Sequence, residues 1–328
     1  MLYDNHGRPI NYLRLAVTDR CNLRCFYCMP ENGIKYVLRK DLLSFEEMER
    51  MMRVFSALGI NKLRITGGEP FVRKGIMGFL EKMVALPQLD DLHITTNGTF
   101  TEDKVETLEQ LGVRSINLSL DSLDRDRFLA ITRRDQFEQV MRTYYRLLES
   151  SIQVKINMVV MEGRNIDDIL PMLALSRDAP VSVRFIEEMP FNGTPGQGNA
   201  TFWSMRKILE YIQQYHPDLE KLEDPPHATA RHYRLPGHRG DFGIIAAFTR
   251  SFCGSCNRIR VTPQGDLRTC LYGPAKLQLR DLMRNGASDE ELADALRLVL
   301  AQRARDGFAA EAERKQEPVS ESMATIGG

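Results

Sequence analysis

Residues 13–30 read LRLAVTDRCNLRCFYCMP. The run opens as a short β-strand and leads directly into Cys21, Cys25 and Cys28, spaced C-x3-C-x2-C. The remaining three cysteines, Cys253, Cys256 and Cys270, stand in SFCGSCNRIRVTPQGDLRTC with spacing C-x2-C-x13-C. Thiolates are soft ligands that suit iron–sulfur clusters or zinc. A cubane cluster has four irons and commonly takes four thiolates, so a triplet leaves one iron open to a reacting ligand. Two triplets in one chain therefore point to chemistry more than to structural staples.

Other uses of the cysteines are weaker. The polar opening MLYDNHGRPI lacks a secretory pattern, and a chain of 328 residues does not need disulfides to build a core. Structural zinc usually takes four Cys or His ligands. His6 is the nearest histidine to the first triplet and His238 to the second, neither at finger-like spacing. An open cluster ranks above zinc at the first triplet. At the second triplet alone, zinc and iron–sulfur both stay open. Basic and acidic residues balance at 44 each, which argues against a general nucleic-acid or membrane-surface binder. No apolar run reaches the roughly 20 residues of a membrane helix, so a soluble cytoplasmic protein is expected.

From the first strand outward, β-rich runs alternate with helical patterns. Strands are expected at 13–17, 62–66, 92–95, 115–120, 154–160 and 182–186, and helices at 45–58, 76–86, 102–111, 137–150 and 166–175. Ser44 and Glu47 form a capping box before the first helix. This alternation means βαβ units and a parallel sheet. Eight units would close a barrel, so six predict an α/β fold with an incomplete (βα)6 barrel. After residue 190 the pattern changes to a loop at 191–200, a helix at 202–215, short strands around the second triplet, and helices at 278–284 and 289–305. A C-terminal α+β extension covering the open side is expected, with domains at 1–215 and 216–328 and a mobile tail from Gly307.

In a parallel βα sheet, the loops after the strands' carboxyl ends build the site. The first triplet lies there. So do Gly67 and Gly68 in TGGEP, which allow close backbone approach to a ligand, together with TTNG, NLSLDS and VRFIEEM. Arginines and a lysine inside apolar strand runs, Arg14, Arg64 and Lys155, are hard to dismiss as surface residues. Alternation places Arg258 and Arg260 on one strand face. No Walker-type P-loop is present.

The C-x3-C-x2-C run with Phe26-Tyr27 before its last cysteine, and TGGEP at 66–70, resemble the signatures of the radical S-adenosylmethionine (SAM) superfamily. LRLAVTDRCNLRCFYCMP, LRITGGEP, INLSLDS, VRFIEEM, the second triplet with NRIR inside it, and the terminal IGG resemble more narrowly the GTP 3',8-cyclase family of molybdenum cofactor biosynthesis. One departure is Arg133, where relatives are expected to carry a small residue. The resemblance implies two [4Fe–4S] clusters, one on Cys21, Cys25 and Cys28 and one on Cys253, Cys256 and Cys270. It implies that Tyr27, Gly68, Ser119 and Met189 contact SAM. Arg14, Arg64, Thr95, Lys155, Arg258 and Arg260 would contact GTP, and Gly327 and Gly328 would enter the site. The implied partners are a one-electron donor, a downstream pterin-forming synthase and a second copy of the chain. Competing readings are a peptide-modifying radical SAM enzyme and a zinc-stabilised scaffold without catalysis.

Overall fold

The strand that opens the cysteine loop, β1 (Tyr12–Ala16), lies inside a sheet rather than at its edge. The computed structural model describes residues 1–30, 32–189, 202–314 and 322–327. From β1 the chain runs through α1 (Phe45–Ala57), β2 (Lys62–Thr66), α2 (Ile76–Val84), β3 (Asp91–Thr96), α3 (Val105–Gln110), β4 (Ser115–Ser119), α4 (Arg125–Thr132), α5 (Phe137–Leu148), β5 (Gln153–Val160), α6 (Ile169–Asp178) and β6 (Ser182–Glu187). After α7 (Met205–Tyr215) come β7 (Glu220–Lys221), β8 (Ala230–Arg234), β9 (Asp241–Ile245), β10 (Arg258–Val261), β11 (Asp266–Arg268) and β12 (Leu277–Gln278). Helices α8 (Leu279–Arg284), α9 (Asp289–Leu300), α10 (Gly307–Ala312) and α11 (Met323–Ile326) finish the described chain.

The strands form one open sheet in the order β12-β11-β10-β1-β2-β3-β4-β5-β6-β9-β8-β7. Strands β1 to β6 are parallel neighbours, which is the incomplete barrel expected from six βα units. The C-terminal extension joins this sheet at both edges, β9 parallel to β6 and β10 parallel to β1. Each strand reads alternately onto two faces. On β5, Val154, Ile156, Met158 and Val160 are buried in the layer shared with the helices, whereas Lys155, Asn157 and Val159 face the interior of the barrel. Met48, Met52 and Phe55 of α1 and Val140, Tyr144 and Leu147 of α5 fill that outer layer.

Local signals behave as read. The Ser44 hydroxyl accepts from Glu47 N at 3.1 Å and the Glu47 carboxylate accepts from Ser44 N at 2.7 Å. Helix α4 is an addition. Its N-cap Asp124 accepts from Arg127 N at 2.8 Å, but its apolar stripe is weak, so periodicity does not reveal it. Arg133 ends α4 with φ 57°, a left-handed conformation that glycine adopts most readily.

Helix α9 stops at Leu300, short of the expected 305, and beyond it Arg303 turns its guanidinium inward onto Cys256. The tail from Gly307 is not an unstructured end: α10 and α11 both pack, with Ala310, Ala324 and Ile326 buried. The loop expected at 191–200 lies outside the described residues. No described helix is long and apolar enough to cross a membrane.

Candidate active site

Register builds the site. Tyr12 stands between Arg258 of β10 and Lys62 of β2, and Arg14 between Arg260 and Arg64. Thr95 neighbours Asn117, which neighbours Lys155. One step further along, Ser119 neighbours Asn157, which neighbours Arg184. These side chains line one cavity of about 550 Å³, whose wall also includes all six cysteines.

The cavity carries an unbalanced positive field. Burial, then Arg260 and Arg64, hold Arg14 well below its ordinary value. Burial and Arg258 bring Arg260 down to about 10, and burial and Arg64 bring Arg184 to about 10. Lys155 falls to about 7, through burial and then Arg184 and Arg64. Burial pushes the Tyr12 phenol up, but Arg64 and Arg14 outweigh it and bring it down to about 8. Arg64 Nε donates to the Tyr12 oxygen at 2.5 Å. Cations crowded at such a cost suit a polyanionic ligand, which relieves their repulsion and accepts arginine's paired donors.

The first triplet follows β1 and is wedged against the end of β2. Gly68 N donates to Thr18 O and Glu69 N to Arg20 O, each at 2.8 Å. A Cβ on Gly68 would meet Arg20 O at 2.3 Å. The tight approach that demands this glycine is thus to the cysteine loop's own backbone, not only to a ligand. The buried Glu69 carboxylate accepts from Asn97 N at 2.7 Å and from Thr96 Oγ1 at 2.8 Å, joining the ends of β2 and β3. Tyr27 donates to Asp121 Oδ2 at 2.7 Å, while Asp121 Oδ1 accepts from Val159 N at 2.9 Å.

Burial pushes the Cys21 thiol up to about 11, with Glu69 adding to it, and Cys28 up to about 12, with Cys21 adding to it. Cys25 is raised well above its usual range by burial, then by Asp121 and Cys28. Three free, partly buried thiols that feel one another become thiolates only beside positive charge, and iron supplies it. The donor set fits an iron–sulfur cluster.

The second triplet enters the same cavity from the loop before β10 and from Cys270 after β11. Burial opposes ionisation of Cys256, but Arg258 and Arg303 outweigh it and lower its pKa. The tail reaches both triplets. Ser322 Oγ donates to Cys28 O at 2.6 Å, and Ile326 packs on Tyr272 beside Met189 and Cys270. Arg260 Nη1 donates to Gly327 O at 2.8 Å.

Two sequence patterns cover most of the chain: that of the Radical SAM superfamily at residues 15–175 and that of Molybdenum Cofactor Synthesis C at 181–308. The chain is 42% identical over 301 residues to a GTP 3',8-cyclase of Syntrophomonas wolfei, covering 89% of this chain and 90% of that one. The chain belongs to the GTP 3',8-cyclase family. A Bos taurus relative, molybdenum cofactor biosynthesis protein 1, is 40% identical over 298 residues; the match covers 89% of this chain and 46% of the relative, about half its length. Streptococcus suis SuiB bound to S-adenosylmethionine superposes with a TM-score of 0.60 at 16% identity, covering 88% of this chain and 68% of that one, and shares the fold alone.

The cavity of this cyclase-family chain brings together every site residue expected from the sequence except the last two. Gly327 lies against the wall through Arg260, and Gly328 is outside the described residues. Tyr12, Asn157 and Arg184 also face the cavity and were not singled out. Strand alternation could have found them, since each stands two residues from a lumen-facing position. Asp121 sits in the quoted NLSLDS stretch, but its bond to Tyr27 spans 94 residues and leaves no local trace.

Proposed function

We infer that this chain converts GTP to 3',8-cyclo-7,8-dihydro-GTP, an early step in making the molybdenum cofactor, by radical SAM chemistry. The observation that carries the reading is one cavity walled by both cysteine triplets and a belt of arginine and lysine. A triphosphate calls for that belt, and a peptide substrate does not. When bound, a reduced [4Fe–4S] cluster on Cys21, Cys25 and Cys28 supplies the electron that cleaves SAM to methionine and a 5'-deoxyadenosyl radical. Gly68, Ser119 and Met189 contribute the SAM wall, and Asp121 fixes the Tyr27 ring there through its phenol. Arg14, Arg64, Thr95, Lys155, Arg258 and Arg260 hold GTP so that its ribose C3' hydrogen meets the radical. The sugar carbon then closes on C8 of the base. One electron and one proton complete a product isomeric with GTP.

A second [4Fe–4S] cluster on Cys253, Cys256 and Cys270 is part of the proposal. Three thiolates with no histidine among them leave one iron of a cubane cluster open, which suits a substrate-binding cluster. We take residues 1–215 as the radical SAM unit and 216–328 as the second-cluster unit. The setting is the cytoplasm, and the partners are a one-electron donor, a pterin-forming synthase and a second copy of the chain. Anaerobic incubation with dithionite, SAM and GTP tests the reading: an isomer of GTP should accumulate, and its absence from protein holding about eight irons per chain overturns it.

Arg258→Ala should weaken GTP binding about tenfold, the loss of one charge-assisted contact of roughly 1.5–3 kcal/mol. Arg260→Ala should cost more, because it also releases Gly327. Equilibrium dialysis with both variants checks this. Unchanged affinity with lost iron would make the two arginines structural.

A further inference from the structure

The opening residues of the chain, which carry no recognised motif, meet the segment after α9 behind the second triplet. Arg303 is the centre of the contact, with its side chain 3% exposed. Its Nη2 donates to Cys256 Sγ at 3.1 Å and to Arg258 O at 3.0 Å. Its Nη1 donates to Cys256 O at 2.9 Å and to Asp4 Oδ2 at 3.2 Å. The Asp4 side chain is fully buried, and its Oδ2 also accepts from Arg8 Nε at 2.7 Å. Arg8 in turn donates to Cys253 O at 3.1 Å and to Arg305 O at 2.7 Å.

One carboxylate therefore anchors two buried guanidiniums and leaves the trio with a net positive charge. A purely structural brace would be complete with the carbonyl and carboxylate bonds. Here one N–H is aimed at a sulfur that lines the cavity.

We propose that Arg303, held in place by Asp4 and Arg8, is a positioning residue that hydrogen-bonds the Cys256 sulfur and raises the reduction potential of the second cluster. This rests on reading Cys253, Cys256 and Cys270 as ligands of that cluster. Reduction adds negative charge that spreads onto the sulfurs. A cationic donor at the sulfur strengthens its bond in the reduced state, and hydrogen bonds to cluster sulfurs are a recognised control of potential. The Arg303 side chain is only 3% exposed, so its interaction with the Cys256 sulfur is weakly screened.

The test is a redox titration of the full-length holoprotein followed by electron paramagnetic resonance. A Cys253→Ala, Cys256→Ala, Cys270→Ala variant first identifies the second cluster's signal by its loss. If no signal is lost, the second-cluster reading falls and this proposal with it. Given that signal, Arg303→Met should shift its reduction equilibrium at least about tenfold toward the oxidised form, a negative move of 59 mV for one electron. The first cluster's midpoint should stay put. Arg303→Lys keeps the charge but not the fork, and should move the same midpoint less in the same direction. If Arg303→Met loses the second cluster's iron, Arg303→Lys decides. A second-cluster midpoint that is unmoved, or that moves together with the first, makes Arg303 a structural brace only.

Discussion

Replacing Cys21, Cys25 and Cys28 together with alanine should abolish SAM cleavage and halve the iron, from about eight to about four atoms per chain. The fold should survive, because backbone and apolar contacts hold the loop in addition to its thiols. Arg24 N donates to Thr132 O at 2.9 Å, Phe26 N donates to Ile131 O at 3.1 Å, and Leu23 and Met29 are buried. Removing three partly buried thiols that ionise unfavourably without a metal costs the cluster-free protein little. The matching variant of Cys253, Cys256 and Cys270 should also lose half the iron, yet keep some SAM cleavage and make no cyclised product. 5'-Deoxyadenosine released by the first variant at the wild-type rate would show that its triplet is not the reductive site.

The second large effect is expected at the chain end. Deleting Gly327 and Gly328 should leave iron content and SAM binding intact and remove cyclisation of GTP. Gly327 adopts φ 76°, a left-handed backbone that side chains rarely accept. A Cβ there would meet Ala16 Cβ at 2.8 Å and Thr66 Oγ1 at 3.0 Å, so β1 and β2 leave room only for glycine. Its carbonyl accepts from Arg260, one of the proposed GTP contacts, so loss of the tail frees a cation that should point at substrate. The preceding turn is anchored by Ser322 on Cys28 O and by buried Ile326, so a deletion of two glycines should not unseat it. A protein lacking both glycines that cyclises GTP at the wild-type rate would make them dispensable.

The barrel was legible because its strands alternate locally and strand and helical patterns take turns along the chain. The pairing of β10 with β1 was not, since it joins residues 246 apart, as Tyr12 with Arg258, and parallel pairing leaves no turn to read. The same distance hides the contact of Asp4 with Arg303. The cysteines and strand-borne arginines announced themselves by residue type and spacing. Arg184 follows the same alternation as Lys155 but lacks a neighbouring signal, and Asp121 looks like ordinary turn chemistry until Tyr27 is placed on it. The tail read as polar because α11 spans only Met323–Ile326, too short for periodicity, although its contacts with Cys28 and Tyr272 order it.

The most direct test of the account uses GTP deuterated at the ribose C3' position. Under anaerobic turnover with SAM and reductant, the account predicts 5'-deoxyadenosine carrying one deuterium, and a cyclised isomer of GTP that has lost it. Unlabelled 5'-deoxyadenosine alongside GTP that keeps its deuterium would contradict it.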